Sequence, residues 1–507
     1  MTVRAILHIF VESGKIEDVG KPMMSNGWVR GAMKHKKSEN FSEWYVEVVE
    51  EAGLAGYAPV KGTIYLLPYG YEIWELIRSH LDKRFRETGH RNAFLPVLIP
   101  ESLLRKEAEH FKGFTPEVFW VTHSGDDPLG ERLAVRPTSE TLFYATFGSA
   151  IKSWRELPVL VNFWNSALRA EIKSTKPFIR TSEFLWQEGH TIHATKEEAE
   201  EEVVRMLRIY REVIEEKLAI PVIAGYKSEL EKFVGAVYTT TLEAVMPDGK
   251  VLQMATSHNL GQNFTIPFEV RYLGPDGKMH YAWSTSWGLS WRVIGAVIMV
   301  HGDDRGLRLP PEIAPIQVVI VPIHYREEER AAVLEKCREV ARRLADAGIR
   351  VHLDDRTEYT PGWKFNEWEL KGVPLRAEIG PKEVEGGRVT LARRDTLTRV
   401  TVSDAELVES VRSLLAEIQR SLYESAKRFL LEHITDARSL EEFSRVLEEK
   451  GGFVRATYCG SKECEAAIKE LTGATVRVIP FEPEPILSNC IYCGGEGKVT
   501  AYFGRAY

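Results

Sequence analysis

Apolar and polar positions change period several times along the chain, and each change predicts an element. From Phe41 onward the texture is sustained: GTIYLLPYGYEIWELIRSHLDKRF predicts a strand turning into an amphipathic helix, and NAFLPVLIP predicts a short apolar strand with Pro96 inside it. Proline donates nothing to a ladder, so that strand is expected at an edge or an interface. Between 159 and 195 two strand-like arms, VLVNFWNSALRAEI and FIRTSEFLWQEGHTIHAT, flank the five residues KSTKP and predict a long hairpin. A helix follows, opened by Thr195 with Glu198 three residues on as a capping box, and Ala199, Val203, Met206, Tyr210 and Val213 form one stripe along it. Its acidic start matches the helix dipole and reads as a solvated first turn.

Beyond Ile316 the pattern becomes an alternation of strand and helix: IQVVIV, a helix ending near Gly348, then IRVHLD, which predicts a parallel-sheet unit. Ser403 and Glu406 are placed to cap a further helix with Leu407, Val411, Leu414, Ile418 and Leu422 at helical spacing. The expected division is therefore an extension over 1–40, containing KHKK, then units over 41–314, 315–402 and 403–507. A chain of 507 residues is long enough for about three domains, since single cores rarely grow past ~250–300 residues.

Composition narrows the class. Hydrophobic residues make up 44% and charged residues 27%, as in a packed globular protein, and no uninterrupted apolar run is long enough to span a bilayer. The start, MTVRAILHIF, lacks the form of a secretory signal, so a cytoplasmic protein with no membrane partner is expected. A net charge of −7 argues against coating nucleic acid by bulk electrostatics, while leaving room for local basic surfaces. Four of the 5 cysteines lie beyond Tyr458. Cys459 and Cys464 form C-x4-C, and Cys490 and Cys493 form C-x2-C, which in such a chain signals four-thiolate zinc. With no ligand position left open, that zinc would be structural. Cys337, inside an amphipathic helix, reads as a small buried residue.

The segment RTSEFLWQEGHTIH, 180–193, carries the candidate chemistry. Read as a strand, it puts Arg180, Ser182, Phe184, Trp186, Glu188 and His190 on one face. His190 and His193 then point to opposite sides, which weakens a shared catalytic metal, because metal ligands must converge. The face has the composition of a pocket for a small charged ligand, and equally that of a half-buried sheet face with paired polar groups. The other arm favours the pocket. Arg169 and Glu171 add to Arg180 so that two guanidiniums share a sheet, an arrangement that calls for an anion, and bidentate arginine suits polyphosphate. No GxxxxGK[ST] loop is present to do that work.

These segments resemble the class II aminoacyl-tRNA synthetases, and in detail the archaeal and eukaryotic type of prolyl-tRNA synthetase, from Phe41 to the end of the chain. The strand around Pro96 is similar to motif 1, ALRAEI to motif 2, and SWGLSWRVIG to motif 3. The resemblance implies an α+β fold: an antiparallel-sheet catalytic core, an α/β anticodon-binding domain, a small α/β zinc-binding C-terminal domain, and a homodimer formed through the motif 1 region. It implies proline activation by ATP and Mg²⁺, then transfer of proline to the 3′-terminal adenosine of tRNA(Pro). RPTSE resembles the proline-recognition segment, so Thr138 and Glu140 would hold the ammonium and Arg169 would lie near the carboxylate and the α-phosphate. Phe184, Trp186, Glu188, His190 and His258 would wall the proline pocket. Arg169, Glu171, Arg180, Thr181, Gln253, Thr256, Ser290 and Arg292 would contact ATP, with Gln253 also at Mg²⁺, and Arg169 and Arg292 would be the catalytic pair. Trp291 departs from the family pattern, which has a small hydroxyl residue there. The terminal Tyr507 would lie close to the active site.

YTPGWKFNEWELKGVPLRAEIGPKE resembles the anticodon-binding domain, and the stretch 361–394 carries seven Lys or Arg and five Glu with Trp363, Phe365 and Trp368 interleaved. Aromatics and cations together suit unstacked bases, and Lys364, Arg376 and Glu378 are the expected tRNA contacts. Trp368 alone reads as core. A synthetase for threonine or serine is the nearest competing function, but a threonine-type catalytic zinc needs a cysteine in the core, and the catalytic segment has none. A non-catalytic relic should have lost one of Arg169, Arg180 or Arg292. A zinc hydrolase on His190 and His193 ranks lower for the facing reason. The interval 193–283 is too short for a large editing insertion, so alanine or cysteine activation is expected.

Overall fold

The computed structural model describes residues 33–110, 118–170 and 174–507. The extension expected over 1–40 therefore lies mostly outside the described residues, as does the expected ATP contact Glu171.

The hairpin forms, but its arms are shorter than the alternation suggests. Val159–Leu168 pairs antiparallel with Glu183–His193, in a register running from Val159 opposite Ile192 to Leu168 opposite Glu183. Residues 169–182 make the connection, in place of the five-residue turn expected from KSTKP. The reason is local. Pro177 cannot donate, Phe178 adopts a left-handed backbone at φ 60°, and Lys176 and Arg180 bond to each other's backbone at 2.9 Å, so the chain closes a small loop of its own instead of extending the ladder. Arg169 and Arg180 thus stand on a loop above the strands.

Around this hairpin an eleven-stranded sheet assembles, with Tyr238–Val245, Val251–Gly261 and Trp283–Ser290 as its central antiparallel strands. The helix Lys196–Glu212 covers one face. Its capping box forms as the sequence predicts, with Thr195 Oγ1 accepting from Glu198 N–H at 3.2 Å, and Ala199, Val203, Met206, Tyr210 and Val213 are buried. The hydroxyl of Tyr210 hydrogen-bonds the Gln187 amide, so the odd-numbered positions of the 183–193 strand face helix, and the even-numbered ones face away. On the helix side Trp287 lies across from Gly189. A Cβ at that glycine would sit 2.1 Å from the indole, so only glycine admits the ring. The helix Arg292–His301 is apolar nearly all round and correspondingly buried in the same core.

Pro96 lies outside any strand. The strand is Leu98–Pro100, at the edge of a three-stranded sheet with Asp127–Val135 and Trp120–Ser124. The edge position matches expectation, and the strand starts past Pro96 because that residue has no N–H to pair.

Val318–Pro322, Val351–Leu353 and Leu375–Ile379 run parallel, and Arg388–Arg393 and Arg399–Ser403 extend that sheet antiparallel. The helix Leu407–Glu432 starts after Glu406, whose carboxylate accepts from Ser403 Oγ at 2.6 Å; neither side chain caps the helix N–H groups. Leu415, not Leu414, completes its buried stripe, and Leu407, Val411, Leu415, Ile418 and Leu422 belong to the same core as the 318–391 strands. A boundary at 402/403 would cut that core in two.

The C-terminal strands Ile434–Ala437, Phe453–Tyr458, Val499–Arg505 and Ala474–Pro480 join the main sheet directly, through Ile479 opposite Tyr226 and Pro480 opposite Gly225. A Cβ on Gly225 would meet the Ile479 carbonyl oxygen at 2.2 Å. Among the described residues no helix is long and apolar enough to cross a membrane.

Candidate functional site

The face of the main sheet away from the helices carries a cavity of about 480 Å³. Thr138, Glu140, Arg169, Arg180, Thr181, Phe184, Trp186, Glu188, His190, Gln253, Thr256, His258, Ser290 and Arg292 all line it, and so does Tyr507. Strand alternation places the 184–190 set, loops place Arg169 and Arg180, and the start of the buried helix at Arg292 places the third arginine.

One part of the lining is acidic and highly ordered. Glu188 accepts from Ser139 N–H at 3.0 Å, from Thr138 Oγ1 at 3.1 Å and from Asn165 Nδ2 at 3.0 Å, and the Ser139 hydroxyl also bonds it. His190 Nε2 lies 3.3 Å from the same carboxylate. The single proton of the Thr138 hydroxyl is shared between Glu188 and Glu140, and the Glu140 carboxylate, that of Glu188 and a His190 nitrogen lie within 4.8 Å of one another. Burial works against charge here, but the bond and charge of His190 with the Ser139 and Asn165 donors hold the Glu188 carboxyl below its ordinary value. Burial likewise opposes protonation of His190, yet Glu188 and the field of Glu140 raise its pKa. The result is a buried, hydrogen-bonded carboxylate–imidazole pair beside a second carboxylate, a setting that favours a small cation.

Another part is strongly basic. Burial, then the charges of Arg169, Arg477 and Arg180, lower the Arg292 pKa to about 10. Arg169 lies over the rings of Phe184 and Trp186 at 5.2 and 5.8 Å, and its Nε donates to the Pro137 carbonyl at 3.4 Å. Trp186 is fixed in turn by donating to Asn165 Oδ1 at 2.6 Å and by an edge contact with Phe184. Three guanidiniums around one cavity make an anion site. His258, bonded to Thr239 and Thr256 at 2.9 and 3.0 Å, is pushed by burial down to about 3 and is therefore a neutral wall.

Trp291 lines the cavity between Ser290 and Arg292. It is buried and meets Phe178 edge-on at 5.7 Å, supporting the 174–182 segment, while Ser290 Oγ accepts from Arg292 N–H at 3.3 Å. His193 faces the helix side, hydrogen-bonded to Thr191 at 2.7 Å, so it and His190 do not share a site. The lining also contains Phe178, Glu231, Phe233 and Thr239, which the sequence reading missed. Thr239 could have been found from the alternation of its strand; Glu231 and Phe233 stand on an irregular segment with no periodic signal.

The sulfurs of Cys459, Cys464, Cys490 and Cys493 all lie within 4.8 Å of one another. Cys464 is held by the helix start, where its N–H donates to Ser461 Oγ at 3.2 Å. Cys490 is held by a tight turn in which Gly494 N–H donates to its carbonyl. Four converging thiols from two knuckles fit a tetrahedral metal.

The three expected tRNA contacts are not offered to solvent. Lys364 donates to the Asp354 carbonyl at 2.9 Å, Arg376 pairs with Glu378 and Glu369 at 2.9 and 3.0 Å, and Glu378 also takes Arg399. All three are buried, because charges on the central strand and inner helix face must be paired internally. Trp368 is core, as expected, donating to Asp354 at 2.8 Å. Trp363 instead stacks on Tyr359 at 3.9 Å, both rings half-buried, with Arg356 over them.

Comparison with known proteins gives three matched segments. Residues 119–301 match the tRNA synthetase class II core domain (G, H, P, S and T), 317–414 an anticodon binding domain, and 440–507 the prolyl-tRNA synthetase C-terminal domain. A proline–tRNA ligase of Cenarchaeum symbiosum (strain A) is 57% identical over 471 residues, covering 93% of this chain and 98% of that protein. A proline–tRNA ligase of Natranaerobius thermophilus is 52% identical over 473 residues, with 93% and 97% covered, and that of Alkaliphilus oremlandii is 53% identical over 468 residues, with 92% and 96% covered.

Proposed function

The chain belongs to the proline–tRNA ligase family, an aminoacyl-tRNA ligase acting on tRNA(Pro), and from that premise we propose how its residues divide the work. Proline enters the acidic part of the cavity, its ammonium between Thr138 and Glu140, its ring among Phe184, Trp186, Glu188, His190 and His258, and its carboxylate toward Arg169. ATP lies along the basic part, on Arg169, Arg180, Thr181, Gln253, Thr256, Ser290 and Arg292.

The carboxylate that attacks the α-phosphorus is already ionised, so the site needs alignment and charge neutralisation rather than a base. Arg169 faces both reacting groups, and Arg292, buried and relieved by an anion, balances charge on the phosphates. Mg²⁺ would enter on the phosphates beside Gln253 and add to that neutralisation. A ribose hydroxyl of the 3′-terminal adenosine of tRNA(Pro) then attacks the prolyl carbonyl of the adenylate, forming the ester and releasing AMP.

Cys459, Cys464, Cys490 and Cys493 would hold a structural Zn²⁺. In the anticodon-binding unit the stacked pair Tyr359 and Trp363 is a better surface for unstacked bases than buried Lys364, Arg376 and Glu378, which would shape that surface from beneath. Phe94, 81% exposed, and Val97 flank Pro96 and support a homodimer through that region. A cytoplasmic location accords with these partners.

The observation that carries the reading is the presence of a carboxylate–imidazole cluster and three arginines in one cavity. The test is amino-acid-dependent ATP–pyrophosphate exchange over the twenty amino acids, with wild type and Arg169→Ala side by side. Exchange is expected to be strongest with proline and lost in the variant. No exchange with any amino acid, from folded protein, would overturn the site assignment.

A further inference from the structure

We infer that the C-terminal helix Lys462–Thr472 positions the wall of the amino-acid cavity, and that Glu465 and Lys469 are positioning residues for proline binding; this rests on the proposed proline site. Two cavity-lining residues, Glu231 and Phe233, stand on the irregular segment between the strands Ile223–Tyr226 and Tyr238–Val245. Such a segment has no ladder to hold it.

What holds it comes from more than two hundred positions away. Ser228 Oγ donates to Glu465 and accepts from Glu231 N–H at 3.3 Å, and its backbone carbonyl closes a turn by accepting from Glu231 and Lys232 at 3.2 and 2.9 Å. Ser228 and Glu465 are 2% and 4% exposed, so this is a buried anchor and not a surface contact. Lys469, one helical turn beyond Glu465, pairs with the Glu231 carboxylate at 3.1 Å.

From that anchor the constraint reaches the site. Phe233 N–H donates to Thr239 Oγ1 at 3.0 Å, and the same hydroxyl bonds His258 at 2.9 Å. The Phe233 ring packs on the His258 imidazole with centroids 4.8 Å apart. Releasing Ser228 therefore frees the wall that meets a small ring, while Arg169, Arg180 and Arg292 keep their supports elsewhere. A group that only stabilised the fold would weaken both substrates together; a positioning group for this wall weakens one.

The experiment measures exchange kinetics of full-length wild type, Glu465→Ala, Glu465→Gln, Ser228→Ala and Lys469→Met, with hydrogen exchange of 227–237 on the same samples. Glu465→Ala and Ser228→Ala should raise KM for proline by about tenfold, the scale of one hydrogen bond to a charged group, with KM for ATP unchanged. Their 228–236 amides should exchange faster while those of the 238–245 strand do not. Glu465→Gln, which keeps an acceptor for Ser228, should fall near wild type, and Lys469→Met should show a smaller effect in the same direction. Proline-dependent exchange in wild type, with proline KM and segment protection unaltered in Glu465→Ala and Ser228→Ala, would overturn the inference. Equal loss for proline and ATP in Glu465→Ala and Glu465→Gln alike would also overturn it, in favour of a purely structural role. Faster amide exchange in the variants, from a wild type with no proline-dependent activity, would reject the proline site and with it the inference.

Discussion

Arg477 and Glu243 lie 234 positions apart and meet where the C-terminal strands join the catalytic sheet: Nη2 and Nε of the arginine donate to one carboxylate oxygen at 2.8 and 3.1 Å. The other oxygen takes Lys227 at 2.5 Å and Thr241 at 2.8 Å. Glu243 is fully buried, and although burial raises its pKa, Lys227 and Arg477 outweigh that and hold it low. Removing the shared anion strands two buried cations. Glu243→Ala should therefore cost about 3–5 kcal/mol, as for a broken buried pair. Chemical denaturation of wild type and variant checks this; a loss below about 1 kcal/mol, the ceiling for exposed pairs, would show that solvent reaches the triad.

The join at Arg477 marks the limit of what the sequence conveys. Period-two alternation correctly orients Glu188 and His190 to one face of their strand and Gln187 to the other, because that signal is local. The cysteine spacing shows convergence for the same reason. The path of 174–182 is different: it depends on the left-handed Phe178 and on Trp291 packing against it, neither of which has a periodic signature. Two residues of pairing, Ile479 with Tyr226 and Pro480 with Gly225, merge sheets that read as separate units. Lys364, Arg376 and Glu378 look solvated in the sequence because composition says nothing about which charges find Asp354 or Glu369.

Zinc removal tests how far that merging matters. Purified protein should carry one zinc per chain, lost in Cys490→Ser, with binding energy on the order of 10 kcal/mol coupled to folding of the C-terminal unit. Since the strand Ala474–Pro480 continues the main sheet, the variant should also melt the catalytic core earlier. Metal analysis and thermal melts followed by tryptophan fluorescence check both. A metal-free variant with an unchanged core transition would mean that the two parts unfold independently.

Acid should destabilise the protein before its carboxylates titrate. Burial lowers His258 and His301 to about 3 and His193 to about 4. Each is neutral in the fold and takes up a proton when unfolded, so its stabilisation is complete above about pH 6.5 and is lost as pH falls from there toward the folded value. At pH 5.5 each costs about 1.4 kcal/mol, or about 4 kcal/mol for the three. His190 has the opposite sign: its raised pKa gives stability that is fully present below about pH 6.5 and lost as pH rises through the folded value, so it offsets part of the decline. Denaturation at pH 7.5 and 5.5 measures the net fall, and His301→Gln should reduce it by about a third. A flat profile would mean that the three sites admit water or a proton when folded.

Selectivity follows from the size of the cavity wall. Alanine carries the same carboxylate as proline and a primary ammonium in place of proline's secondary one, so it would still meet Thr138, Glu140 and Arg169; it lacks the ring that Phe184, Trp186 and His258 would enclose. A missing methylene is worth about 1–3 kcal/mol, so two of them lower kcat/KM by about 30-fold to 10⁴-fold without abolishing activation. The interval between Glu183–His193 and Trp283–Ser290, where an inserted hydrolytic domain would interrupt the core, is filled by the capping-box helix, core strands and a small hairpin. Alanine should therefore support pyrophosphate exchange within that range, and alanyl-tRNA(Pro) formed by this chain should persist on the timescale of its spontaneous hydrolysis. Exchange and acid-gel assays with alanine decide both points. Alanine exchange at background would require proline to be recognised by a contact its ring makes in the transition state, and rapid clearance of alanyl-tRNA(Pro) would require a hydrolytic site elsewhere in the chain.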